Sequence, residues 1–305
     1  MMRTPTTKAL FLVSLSFNIH CAGQTTATSR QPVTALNPMV KQMETIRTAV
    51  TGGWRSPGRT TLVKKLPIGA ELTAGTVVMR VTALSDGVFR VQLAPLGSFP
   101  VDNSWAVMKE ATAAMKPTEA VRVSDAVGAV EIATKGIIAR IEKNGLRMVF
   151  LDSARNVISE DDPNRPMQWI SEPLSSKEME RSFQDPKSVS KKVATAFRIW
   201  KRMPDDEHYF GLGDKAGPLD HRNQAFTMWN TDAFGWQEST DPLYKSIPFF
   251  VALRNGKSYG IFLDNTFRSS FDFGKSERDA FSFGSDDGPS DPEPTGTGAG
   301  DPLTS

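Results

Sequence analysis

The sequence predicts a mainly β protein built as an antiparallel sandwich, and three observations predict it. Short runs rich in Val, Ile, Phe and Thr recur between residues 71 and 283. The turns between them carry glycine, and no amphipathic helix longer than three turns interrupts them. A chain of 305 residues can hold one large domain or two small ones with ample core. Its 36 Lys and Arg against 34 Asp and Glu are interspersed, for a formal charge of +2. No basic tract marks a nucleic-acid partner, and no segment repeats at a fixed period.

The N-terminus reads as an export signal. Arg3 and Lys8 precede the apolar run A-L-F-L-V-S-L-S-F at 9–17, and the small residues Ala22 and Gly23 follow. The run is too short to span a bilayer, so the expectation is a signal peptide over 1–23 and an exported chain, periplasmic or secreted, with no membrane span. A lipoprotein acylated at Cys21 is the alternative, although Asn18, Ile19 and His20 make a poor lead-in to such a cysteine. Cleavage after Gly23 leaves no cysteine, hence neither a disulfide framework nor a thiol nucleophile. Residues 24–65 are rich in Thr, Gly and Pro and read as a flexible linker, with one short helix over 39–50.

Sheet-like sequence follows, in a domain spanning 66–284. The stretches 71–84 and 88–93 are joined by the Ser85-Asp86-Gly87 turn. In V-F-R-V-Q-L the alternation sets Phe89, Val91 and Leu93 on one face, as a strand with one buried face requires. Further strands are expected at 120–123, 129–134, 137–142 and 146–151, with Asn144-Gly145 as the strongest hairpin signal. Residues 159–192 turn polar and Pro-bearing and read as a surface excursion. Strands resume at 194–201, 249–253, 258–263, 269–273 and 280–283. After Gly284 the composition changes abruptly to a Gly/Pro/Thr tail, 285–305, that cannot pack.

The chemistry is expected in residues 208–250. Glycines 211, 213 and 217 and the acids Asp214, Asp220, Asp232 and Asp241 read as a loop that holds polar groups between strands, or individually as plain turn formers. His208 and His221 have no metal-ligand spacing and no cysteines beside them, so no metal site is expected. The G-K-S-Y-G match at 256–260 opens a strand where a nucleophile elbow needs a helix. G-L-G-D-K-A at 211–216 runs into Gly217-Pro218 where a dinucleotide site needs a helix, and both G-K-S triplets lack the upstream glycine of a phosphate loop. No cofactor is expected. Trp229, Phe234, Trp236 and Tyr244 offer flat faces to a pyranose ring, and Asn230, Asp232 and Gln237 could take its hydroxyls. Asp232 and Asp241 could also serve as an acid/base pair. In the competing reading Trp229 and Tyr244 are core residues and Asp232 caps a turn.

Four motifs in order, H-Y-F-G-L-G-D-K-A-G-P-L-D at 208–220, M-W-N-T-D-A-F-G-W at 228–236, D-P-L-Y-K-S-I-P-F-F at 241–250 and Y-G-I-F-L-D-N-T-F-R-S-S-F-D-F-G at 259–274, resemble the N-terminal domain of glycoside hydrolase family 31. These are the alpha-glucosidases, alpha-xylosidases and related enzymes. L-S-D-G-V-F-R-V at 84–91 and S-W-A-V at 104–107 agree in order. The resemblance implies a galactose-mutarotase-like antiparallel β-supersandwich packed against a catalytic (β/α)8 barrel. It also implies a sandwich loop at the barrel mouth whose acid bonds sugar hydroxyls. Asp232 matches that acid best, with Asn230 and Thr231 beside it, in the same stretch as Trp229 and Trp236, already read from the residues as sugar-stacking faces. The expected partners are an α-linked oligosaccharide and the barrel normally carried in the same chain. Because the family pattern stops near Gly284, the chain is expected to be a truncated fragment, or the product of a frame error, with no catalytic residue of its own. The alternatives are a standalone carbohydrate-binding module, a module that docks on a separate barrel and, more distantly, an aldose mutarotase.

Overall fold

The protein is described here from a computed structural model, over residues 12–16, 54–99, 102, 104, 106–170, 196–265 and 268–285. The expected linker helix at 39–50, most of the polar excursion and the tail after 285 lie outside the described residues.

Strands β1 (Leu12–Ser16), β2 (Leu62–Leu66), β3 (Gly69–Ala74), β4 (Val77–Ser85) and β5 (Val88–Ala94) precede a short helix, α1 (Lys109–Ala114). Next come β6 (Arg122–Asp125), β7 (Ala129–Ala133), β8 (Ile137–Glu142), β9 (Met148–Asp152), β10 (Val157–Glu160), β11 (Gln168–Ile170) and β12 (Ala196–Arg202). The last strands are β13 (His208–Gly213), β14 (Ala225–Met228), β15 (Ser246–Arg254), β16 (Lys257–Asp264), β17 (Ser269–Asp272) and β18 (Ala280–Ser285). They form one eight-stranded sheet, ordered β13-β15-β16-β1-β5-β4-β3-β2, and two five-stranded sheets, β10-β9-β8-β7-β6 and β11-β12-β18-β17-β14.

One continuous core fills the space between the layers. Strict alternation makes this possible: β4 reads V-V-M-R-V-T-A-L-S, with Val77, Met79, Val81 and Ala83 each at most 2% exposed. The β5 side of the large sheet meets the first small sheet, with Phe89 edge-on to Phe150 at 6.0 Å. The β13–β15 side meets the second small sheet. There Tyr209 stacks on Phe273 at 4.6 Å and Phe250 packs edge-on to Phe281 at 5.5 Å. Such pairs add about 0.5–1.5 kcal/mol each beyond the area they bury.

The mainly β antiparallel expectation holds, and several boundaries need correction. Residues 71–84 are two strands, because Gly75 at φ +64° turns the chain and β3 pairs back on β4. The linker ends earlier than expected: β2 already pairs with β3. Residues 157–170 are not all surface. Asp161 is 5% exposed because its carboxylate takes Lys201 Nζ at 2.7 Å and the Met148 N–H at 2.8 Å. Asp162, 4% exposed, is paired with Arg165 and accepts the Asn164 N–H at 2.7 Å. Polar sequence could be buried here because each charge meets a partner. Finally, part of 208–250 is sheet: β13 pairs with β15 across a register shift between Gly211 and Gly213, and β14 pairs with β17.

Candidate functional site

Residues 229–245 connect β14 in the second small sheet to β15 in the large one, and both ends of this loop are fastened. At its base Lys215 Nζ, whose side chain is 2% exposed, donates to the Thr227 carbonyl at 2.8 Å and to Asp241 Oδ1 at 2.9 Å. Asp241 Oδ2 accepts the Thr227 N–H at 2.6 Å. The peptide bond that follows, Asp241-Pro242, is cis. Opposite, Ser246 Oγ accepts from the Trp229 N–H at 2.8 Å and donates to the Trp229 carbonyl at 3.0 Å. Asn230 Oδ1 accepts the Ser246 N–H at 2.8 Å. Within the loop the Tyr244 hydroxyl donates to the Ala233 carbonyl at 2.9 Å, and Leu243 is buried.

Gly213 sets the approach of β13 to this base. Its φ is +85°, and a Cβ there would lie 2.5 Å from the Lys245 carbonyl oxygen. Only glycine permits that contact.

The fastened loop lifts its large side chains into solvent. Phe234 is 98% exposed, Trp236 53% and Trp229 51%, with Ile247 and Tyr244 also exposed. Trp229 and Tyr244 are therefore not core residues. Asp232 lies among them with its residue exposed. Of the polar residues read from sequence, Asn230 has its amide oxygen committed to Ser246, so it positions the loop. Asp241 has both oxygens engaged by Lys215 and Thr227, which removes it as an acid/base partner for Asp232 and makes it a fastener. Sequence reasoning missed Lys215 and Ser246. The one available signal was a lysine set between glycines in G-L-G-D-K-A-G.

His208 and His221 are held in different ways. His208 Nδ1 meets Asp220 Oδ2 at 2.6 Å, while Asp220 Oδ1 accepts the Tyr209 and Arg222 N–H groups at 3.1 Å each. Burial pushes the Asp220 carboxyl up, but these bonds outweigh it and hold it below the usual range. His221 is 5% exposed, packs edge-on to Phe226 at 4.6 Å and bonds the Gly211 carbonyl through Nε2 at 3.1 Å. Burial lowers its pKa. Among the described residues no cluster of His, Cys, Asp or Glu could hold a metal ion.

A separate cleft of about 170 Å³ lies on the second small sheet, lined by Arg198, Trp200, Asp272 and Glu277 among others. Arg198 stands over the Trp200 ring at 5.5 Å.

A layered, mainly antiparallel sandwich with a fastened, aromatic-rich loop between two of its sheets defines the class: a β-supersandwich. The model of the glycosyl hydrolase 31 N-terminal galactose mutarotase-like domain matches residues 78–272, well over half of the chain, and the chain belongs to that family. It is 43% identical over 90 residues to alpha-glucosidase 2 of Bacillus thermoamyloliquefaciens, covering 29% of this chain and 11% of that protein. It is 35% identical over 81 residues to alpha-xylosidase XylQ of Lactiplantibacillus pentosus, 27% of this chain and 10% of that protein. Among solved structures, the Flavobacterium johnsoniae family 31 dextranase complexed with isomaltotriose superposes with TM-score 0.61 at 26% identity, over 76% of this chain and 25% of that one. The Listeria monocytogenes cycloalternan-forming enzyme shares the fold, with TM-score 0.60 at 18% identity over 77% of this chain and 20% of that one. The chain thus spans a quarter or less of the length of each of these relatives.

Proposed function

We propose that this domain is the sandwich portion of an exported retaining alpha-glycosidase, and that residues 229–245 contact an α-linked oligosaccharide. Trp236 and Trp229 would stack on pyranose rings, and the Asp232 carboxylate would accept sugar hydroxyls. The observation that carries the reading is the loop itself, in a member of a glycosidase family: two tryptophans about half exposed, around an acid, on a segment fastened at both ends. Exposed aromatics cost solvation unless something covers them, and a fastened loop loses little entropy when a ligand arrives.

In the whole enzyme the α-glycosidic bond would be cleaved with retention through a glycosyl intermediate on a barrel aspartate. At the loop the Asp241 carboxylate is taken up by Lys215 and the Thr227 N–H, and the domain alone is proposed to bind and not to turn over. Phe234 and Ile247 favour a second reading of the same surface, docking of the loop against the barrel. Export is proposed on the charge and hydropathy of residues 1–23, with Cys21 acylation as the alternative.

The test is a titration of isomaltotriose into the purified chain, followed by tryptophan fluorescence. Saturable quenching is expected, weakened at least tenfold in Trp236→Ala and in Asp232→Ala, with no glucose released. Unchanged affinity in both variants would refute the sugar-contact reading.

A further inference from the structure

The eight-stranded sheet is two antiparallel blocks held together by a single strand. β13-β15-β16 is one block, β5-β4-β3-β2 is the other, and β1 lies between them. Leu12 pairs with Val88 and Gly260, and Ser16 with Gln92 and Asp264, in parallel register on both sides. Among the described residues every other strand pair is antiparallel. β5 and β16 therefore run in the same direction with one strand's width between them, roughly 9–10 Å at ~4.8 Å per spacing. Their facing edges have no hairpin partner of their own.

The slot is part of the core. Phe89 and Val91 on one side and Ile261 and Leu263 on the other are at most 1% exposed. The sequence of the inserted strand fits these rows. Val13 falls in register with Phe89 and Ile261, and Leu15 with Val91 and Leu263. Leu12, Ser14 and Ser16 fall in the alternate rows, with Val88 and Gly260, with Arg90 and Phe262, and with Gln92 and Asp264. An L-V-S-L-S strand shifted by one residue would reverse that match.

These five residues lie inside the apolar run that reads as the core of the export signal. We propose that the gap between β5 and β16 is a strand-accepting slot, and that the leader's own Leu12–Ser16 fills it in the unprocessed chain. Removal of residues 1–23 then opens the large sheet between its two blocks. A leader folded into the sheet is also withheld from the export machinery, so folding before export and processing oppose each other. The inference is independent of the sugar-contact reading and uses the export reading only to name what removes the strand.

Hydrogen exchange on the full chain, made without export so that residues 1–23 remain, tests it directly. Amides of Leu12–Ser16 are expected to exchange at least tenfold more slowly than unstructured ones. In Ser14→Pro, which cannot complete a central ladder, exchange should accelerate in β5 and β16 and stay unchanged in β7 and β8. Unprotected leader amides, or protected ones with β5 and β16 indifferent to Ser14→Pro, would overturn the proposal. So would leader protection that falls on dilution, which would place the strand in a second copy. If Ser14→Pro does not fold, the exchange of the unaltered chain decides.

Discussion

Glu207 is a buried carboxylate held by two tyrosine hydroxyls. It is 1% exposed, and its Oε2 accepts hydrogen bonds from the hydroxyls of Tyr209 at 2.6 Å and Tyr259 at 3.1 Å. Burial pushes its pKa up, and the two tyrosine bonds only partly offset that. A carboxyl whose folded pKa is raised binds more protons folded than unfolded. Its contribution to stability is therefore greatest below its unfolded pKa and declines as pH rises through the folded value. Stability measured by urea melts of the wild type, relative to Glu207→Gln, should fall on going from pH 4 to neutrality. A difference that is flat or rising with pH would contradict the assignment. Nothing in P-D-D-E-H-Y-F separates this acid from its neighbours by sequence. Asp205 and Asp206 are exposed and Glu207 is not, because only Glu207 precedes the strand turning Tyr209 inward.

At the scale of elements, the aromatic loop depends on a clasp remote from its tip. Lys215→Met leaves Asp241 with the Thr227 N–H but without its cation, and the Thr227 carbonyl loses a donor. Leaving such groups unpaired costs about 1–3 kcal/mol. Exchange across residues 229–245 should accelerate and isomaltotriose affinity should drop several-fold, with the β7–β8 hairpin undisturbed; an unperturbed loop would show that the clasp is incidental.

Sequence reasoning found strands that alternate, such as β8, and strands that are continuous apolar runs, such as β9, but not the four-residue β14. It missed β13 because H-Y-F-G-L-G carries glycines at 211 and 213, which mask the inward row of Tyr209 and Leu212. It missed β2 because L-V-K-K-L buries little in an edge strand. The loop's aromatic content was legible, since exposed Trp and Phe beside Asp and Gly have few structural uses. The roles of Asn230 and Asp241 were not, because a side chain that fastens a loop and one that meets a ligand have the same composition.

Across the whole molecule, the two blocks of the large sheet each cover a different small sheet, and the two small sheets are linked through the buried Lys201–Asp161 pair. The fold and family were legible because the motifs recur in order along most of the described chain. The strand inserted at β1 was not, since its residues serve equally well as an apolar leader. Besides the fastened loop proposed to contact sugar, the architecture has a cleft on the second small sheet, beside Trp200 and Arg198. The central claim is that the loop is the contact. Hydrogen exchange of the full chain with and without saturating isomaltotriose tests this most directly. Protection confined to residues 229–246 is the predicted footprint. Protection centred on β12 and β18, or none anywhere, would contradict it.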